Sequence, residues 1–246
     1  MTTDAPAIER SDEPFAASRR PAGGPLGDGE RAIVAVDVVK DFPTHHGPRR
    51  VLDGINFRVG PRERMAVLGR NGAGKSTLIK LLAGLLRPTS GHVHRGLYMS
   101  WPLAIGGGFE GEMTGYDNMR FISRIYGSPF KQMLEFVSDF SELGRDIYEP
   151  MRFYSDGMRA RLALGISLAI NFECLLIDEV IMVGDTRFQE KCRREIFEHR
   201  GHCGMILAVH SAEIVQEYCD RALVLKHGRG RVFDDVKLAC SIYATA

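Results

Sequence analysis

The sequence predicts an α/β fold: a mostly parallel sheet with helices on both faces, N-terminal antiparallel strands and an inserted helical subdomain. Three observations predict it. A short apolar run, Met65-Ala66-Val67-Leu68, enters a glycine-rich loop that is followed by the helical pattern of Leu78 to Ala83. From Cys174 onward, apolar runs alternate with helical patterns, the succession that builds a parallel sheet. Between about residues 96 and 150 the texture changes to amphipathic helices.

In chain order, residues 1–30 are rich in Ala, Pro, Gly and charge without periodicity and read as a flexible tail. Ala32 to Val36 is a strand, Asp41 to Pro48 a loop, and Ile55 to Val59 a half-exposed alternating strand that Gly60-Pro61 turns toward Met65. Arg87 to Gly91 is a stop. His92-Val93-His94 is a short strand; its two His residues lack a third ligand and read as ordinary surface. Gly106-Gly107-Gly108 is a flexible joint into the helices over Tyr116 to Tyr126 and Met133 to Phe140. Ser155 is placed to N-cap a helix through Leu168. Cys174 to Ile177 is a fully apolar strand, Thr186 to Arg200 a charged helix, Met205 to Val209 a buried strand and Ala212 to Cys219 a helix. Ala222–Leu225 and Arg231–Phe233 flank His227-Gly228-Arg229-Gly230 as a hairpin.

Composition excludes several functions. The 246 residues carry a net charge of +1, so no field recruits nucleic acid or a membrane surface. No apolar run reaches the roughly 18 residues a spanning helix needs, and the N-terminus has no apolar core of a secretory signal. The five cysteines are odd in number and widely spaced, which fits reduced thiols better than a zinc or disulfide framework.

The chemistry begins at Gly69-Arg70-Asn71-Gly72-Ala73-Gly74-Lys75-Ser76-Thr77. It satisfies G-x-x-x-x-G-K-S/T between a strand and a helix, the phosphate-cradling P-loop, so the core is of the P-loop NTPase type. The glycines let successive N–H groups turn toward one anion, and the helix N-terminus adds its positive end. Lys75 reaches the β- and γ-phosphates, and the Ser76 hydroxyl is a Mg²⁺ ligand. The strand Cys174–Ile177 ends in Asp178-Glu179. A strand-end Asp suits the Mg²⁺ shell, and an adjacent acid suits a general base on the attacking water. Alternation along the strand points the two carboxylates apart, which favours two roles over one shared proton.

Together these motifs resemble the ABC transporter ATPases over roughly residues 32–233. Tyr154-Ser155-Asp156-Gly157-Met158-Arg159 resembles that family's signature, usually Leu-Ser-Gly-Gly-Gln, with departures at Asp156 and Met158. His210, after the strand Met205–Val209, resembles its switch histidine, Asp185 its D-loop aspartate, and Phe42 the aromatic that stacks on adenine. On this resemblance residues 31–246 form one ATP-binding domain with a helical subdomain at about 96–165, and ATP and Mg²⁺ are its ligands. Ser155 and Gly157 at a helix start make a second anion site, which implies a second nucleotide. A twofold dimer in which each signature closes the partner's P-loop accounts for it. Taken alone, Ser155 reads better as a plain N-cap, and a loop aromatic such as Phe42 usually serves packing.

The family's glutamine at the junction into the helical subdomain has no counterpart, since no Gln lies between His92 and Lys131. Its slot falls near Ala104, with Glu110 the nearest substitute. Ser100-Trp101-Pro102-Leu103, Gly107 to Gly111, Met113-Thr114-Gly115, Arg120 to Gly127 and Asp178 to Asp185 resemble the ATPase subunit of bacterial capsule polysaccharide exporters. Ending at Ala246, the sequence is expected to lack the C-terminal carbohydrate-binding domain that O-antigen exporters often carry. The resemblance implies ATP hydrolysis at the cytoplasmic face of the inner membrane. The implied partners are a second copy, a polytopic permease subunit and further envelope export proteins, without nucleic acid. Trp101 and Gly106–Gly108 suit a partner-docking surface, although a core role fits Trp101 equally. Export of O-antigen, teichoic acid or another glycan, or a soluble regulatory or assembly role, are the alternative readings.

Overall fold

A computed structural model describes residues 31–103, 108–178 and 185–245. The N-terminal tail, Ala104 to Gly107 and Glu179 to Gly184 lie outside the described residues. Two sheets organise the chain. Strands β1 (Ile33–Thr44), β2 (Gly47–Val59) and β4 (Ser90–Arg95) form an antiparallel sheet in the order β2-β1-β4. Strands β3 (Arg64–Leu68), β5 (Met99–Pro102), β6 (Cys174–Asp178), β7 (Gly204–Ala208), β8 (Arg221–Lys226) and β9 (Arg229–Phe233) form the second, ordered β5-β6-β7-β3-β8-β9. It is parallel except for β9, which returns antiparallel on β8. The buried runs Met65–Leu68, Cys174–Ile177 and Met205–Ala208 are the central strands, covered on both faces, which is why they are apolar without alternation.

Helix α1 (Lys75–Leu82) buries Leu78, Ile79, Leu81 and Leu82 between the two sheets, against β6, β7 and β4. Helices α2 (Gly115–Tyr126), α3 (Phe130–Ser141) and α4 (Asp156–Ala169) form the helical region. Met119 and Ile122 of α2, and Met133, Val137 and Phe140 of α3, are the buried positions at helical spacing. Gly165 of α4 lets Phe140 and Val137 approach closely; a Cβ there would lie 3.1 Å from the Phe140 ring. Helices α5 (Thr186–Arg193), which continues as a wider turn to Glu198, and α6 (Ala212–Tyr218) complete the anticipated set.

Three stretches differ from the sequence reading. The Asp41–Pro48 loop is instead the tip of a hairpin: β1 runs on to Thr44, with Phe42 opposite Arg49 and Thr44 opposite Gly47. That ribbon is exposed or half-exposed, so it carries no alternating apolar pattern to read. Arg50 holds it by bonding Asp41 at 3.0 Å and Asp53 at 3.1 Å, and these carboxylates raise the guanidinium pKa. Residues Met99–Pro102, read as the start of the helical insert, form β5 on the sheet edge, where a proline is tolerated. Trp101 there packs edge-on to Tyr126 of α2 at 5.1 Å and to Phe172, just before β6, at 5.5 Å. Finally, a C-terminal helix α7 (Val236–Thr245) follows β9. Asp235 caps it by accepting the Leu238 N–H at 3.0 Å, and Ala239 and Cys240 bury its inner face. It packs on α6, β8 and β9.

The cysteines behave as small apolar residues. All five are free thiols, and burial pushes Cys192 and Cys219 up to about 12 and Cys174 higher still. Among the described residues His92 and His94 join no metal-ligating cluster, and no helix is long and apolar enough to cross a membrane.

One glycine tests the antiparallel sheet. Gly91 has φ +76°, and a Cβ there would sit 2.1 Å from the Asp37 carbonyl oxygen, where β1 bulges. Gly91→Ala is expected to cost about 2 kcal/mol or more of stability, read by denaturant unfolding. An unchanged midpoint would contradict this packing.

Candidate nucleotide site

Three parallel strands end together at one edge of the large sheet. The glycine-rich loop follows β3, Asp178 ends β6 and His210 lies just beyond β7, with Asp178 in register with Ala208. The carboxyl edge of a parallel sheet is where ligands bind in such folds.

The loop is wedged between neighbours that only glycine tolerates. Gly74, the N-cap of α1, has φ +107°, and a Cβ on it would lie 2.7 Å from Leu52 Cδ2 and 3.2 Å from the Val51 carbonyl oxygen. A Cβ on Gly69 would lie 2.8 Å from the Leu225 carbonyl oxygen. The Ala73 N–H donates to the Arg70 carbonyl at 3.0 Å, closing the turn that contains Asn71 and Gly72. Arg70, Asn71, Gly72 and Ser76 are exposed and Thr77 half-buried, so the rim faces outward while its base is packed. Val51 and Leu52 also tie the hairpin to the loop. Phe42, half-buried on that hairpin, therefore belongs to a ribbon anchored beside Gly74, with Lys40 Nζ 5.1 Å from its ring centre.

Lys75 is only 7 % exposed, and its Nζ donates to the Gly69 carbonyl at 2.7 Å and the Arg70 carbonyl at 3.5 Å. The ammonium is thus held under the loop rim by the loop's own oxygens. Ser76 Oγ donates to Asp178 Oδ1 at 3.2 Å across 102 residues of sequence. That separation is close to the roughly 2.9 Å between adjacent ligands of an octahedral ion with bonds near 2.1 Å. A hydroxyl and a carboxylate are also the hard oxygen donors Mg²⁺ prefers, so the pair fits that ion.

The signature segment sits on a separate, well-braced corner. Ser155 caps α4 by accepting the Met158 N–H at 3.2 Å, with Ser155 and Gly157 exposed and Met158 half-buried. Just before it, Tyr154 is buried and donates to the Asp146 carbonyl at 2.7 Å; burial pushes its phenol up to about 12. Met151 N and Arg152 N donate to the Met113 and Gly111 carbonyls, locking this corner to the start of α2. Asn118, buried there, bonds the carbonyls of Glu110, Met113 and Thr114, while the Glu110 side chain is exposed. Asp185 caps α5 by accepting the Phe188 N–H at 2.9 Å and stands 3.9 Å from Arg161 of α4. The expected base, Glu179, lies outside the described residues.

One contact escapes the sequence reading. His210 Nδ1 lies 2.9 Å from the Tyr243 hydroxyl of α7. Its only signal was Asp235 followed by Val236, Ala239, Cys240 and Tyr243 at helical spacing.

Strand order, glycine-rich loop and strand-end acid define an ATPase of the P-loop class. A sequence profile described as ABC transporter matches residues 52–182. The capsule polysaccharide export ATP-binding protein CtrD of Neisseria meningitidis is 48% identical over 84% of this chain and 95% of its own length. The ATP-binding protein BexA of Haemophilus influenzae is 48% identical over 84% and 95%. Among solved structures, an ATP-binding subunit of an ABC transporter superposes with a TM-score of 0.71 at 21% identity, covering 86% of this chain and 94% of that one. A dimeric ATP-binding cassette in a post-hydrolysis state with ADP and Pi gives 0.68 at 20%, covering 82% and 97%. The chain belongs to the ABC transporter family.

Proposed function

We propose that this chain is the ATP-hydrolysing subunit of an exporter that moves a capsular polysaccharide across a bacterial inner membrane. It sits at the cytoplasmic face, bound to a separate membrane-spanning partner. The observation that carries the cargo class is the 48% identity, over nearly the whole folded chain, to a protein named for capsule polysaccharide export. The geometry supports the chemistry. Backbone N–H groups of Gly69 to Thr77 and the Lys75 ammonium hold the β- and γ-phosphates. Phe42 stacks on the adenine. Ser76 and Asp178 hold Mg²⁺, which when bound neutralises charge on the phosphate oxygens. Glu179 takes the proton of the water that attacks the γ-phosphorus, and His210 steadies the γ-phosphate as its bond to the leaving ADP oxygen breaks. Ser155, Gly157, Met158 and Asp185 of a second copy close the pocket from the other side, so two ATP sit in a twofold dimer.

The test of the cargo reading is purification of the full chain from native membranes, together with its deletion. A polytopic membrane protein should co-purify, and the deletion strain should lose surface capsule while the polymer collects inside. A wholly soluble pool and an intact capsule would refute the reading. For the metal pair, Asp178→Asn should weaken the magnesium-dependent part of ATP binding by about tenfold or more. Calorimetric titration with and without magnesium reads it directly. Equal magnesium dependence in both proteins would remove Asp178 from that role.

A further inference from the structure

We propose that Tyr243 is a positioning residue for ATP hydrolysis: its phenol fixes the ring and tautomer of His210. The proposal rests on the reading of His210 as a γ-phosphate contact. The two side chains are 33 residues apart in sequence, yet His210 Nδ1 and the Tyr243 hydroxyl are 2.9 Å apart, with ring planes inclined by 29°. His210 itself is exposed at the strand edge, and the Tyr243 hydroxyl is one hold on its ring. That hold comes from a braced element. Helix α7 is anchored by the Asp235 cap and by buried Ala239 and Cys240 against α6 and β8, and Tyr243 packs at the margin of the core.

The chemistry gives the contact a direction. A neutral imidazole carries one N–H, and the bond made at one nitrogen decides which nitrogen bears it. When the phenol O–H donates to Nδ1, the proton resides on Nε2. Nε2 then faces the γ-phosphate as a donor, the form able to bond a phosphate oxygen whose charge grows as the terminal bond breaks. The opposite tautomer would present a lone pair to an anion. The carboxyl-terminal helix thereby contributes to turnover although it holds none of the recognised motifs.

The experiment measures ATP hydrolysis by the full chain as wild type, Tyr243→Phe, His210→Ala and the double variant. Tyr243→Phe keeps the ring and its packing and removes only the hydroxyl. It is expected to lower kcat about three- to tenfold, the effect of one lost hydrogen bond, with KM for ATP nearly unchanged. His210→Ala is expected to lower kcat about a hundredfold, and the double variant to match it. Nitrogen-detected imidazole NMR should report the Nε2–H form for His210 in the wild type and a tautomer mixture in Tyr243→Phe. An unchanged kcat in Tyr243→Phe, a full additional loss on the His210→Ala background, or an Nδ1–H wild type overturns the positioning role. Undiminished turnover in His210→Ala removes His210 from the site, and with it the basis of the proposal.

Discussion

Lys75→Met is expected to reduce ATP hydrolysis by about a thousandfold and to weaken ATP binding about tenfold or more. The substitution keeps an unbranched apolar stem of similar length in the space that Lys75 fills and removes the ammonium. That charge lies under the rim of the loop, bonded to the Gly69 and Arg70 carbonyls. A triphosphate entering the cradle offers it stronger, charged acceptors, so the ammonium exchanges two loop carbonyls for phosphate oxygens. In a buried site that attraction is weakly screened. Phosphate release and titration calorimetry read the two effects. Folding should be little affected, because the variant buries a thioether in place of a charge. Turnover within a few fold of wild type would mean that phosphates do not bind in this loop.

The second large effect concerns Glu179, which follows the strand-end Asp178 in the sequence. Glu179→Gln is nearly isosteric and removes the ability to accept a proton. Hydrolysis is expected to fall by about a hundred- to ten-thousandfold, while ATP still binds and holds two copies together. Size-exclusion chromatography with ATP should therefore show a lasting dimer, where wild type returns to monomer as ATP is consumed. Near-normal phosphate release would take the base role away from Glu179. A variant that binds ATP but stays monomeric would instead count against the shared pocket.

Much of this architecture is legible in the sequence. The strands Met65–Leu68, Cys174–Ile177 and Met205–Ala208 are apolar on both faces, because helices cover both, and such runs stand out between turn residues. The loop was equally legible, since its glycines answer to local geometry, as the close approach of Val51 and Leu52 to Gly74 illustrates. What escaped lacked either signal. The exposed ribbon around Phe42 has no inner face to imprint a period on its sequence. Strand β5 is four residues long and holds a proline, and only its pairing with Cys174 and Leu176 makes it a strand. Helix α7 has only a narrow buried face, formed by Ala239 and Cys240, which leaves little helical period to read. The Ser76–Asp178 contact joins two residues that the sequence names without their distance, whereas the His210–Tyr243 contact brings in a partner that no motif marks.

The aromatic cluster at the root of the helical region has a practical consequence. Trp101 is the only tryptophan in the chain, and its indole rests against one ring from the helical layer and another from beside the central sheet. Any tilt of one layer over the other must alter the environment of that indole. The protein thus contains a built-in optical gauge at the seam between the helical layer and the sheet, and its ultraviolet emission would report any shift there without an attached dye.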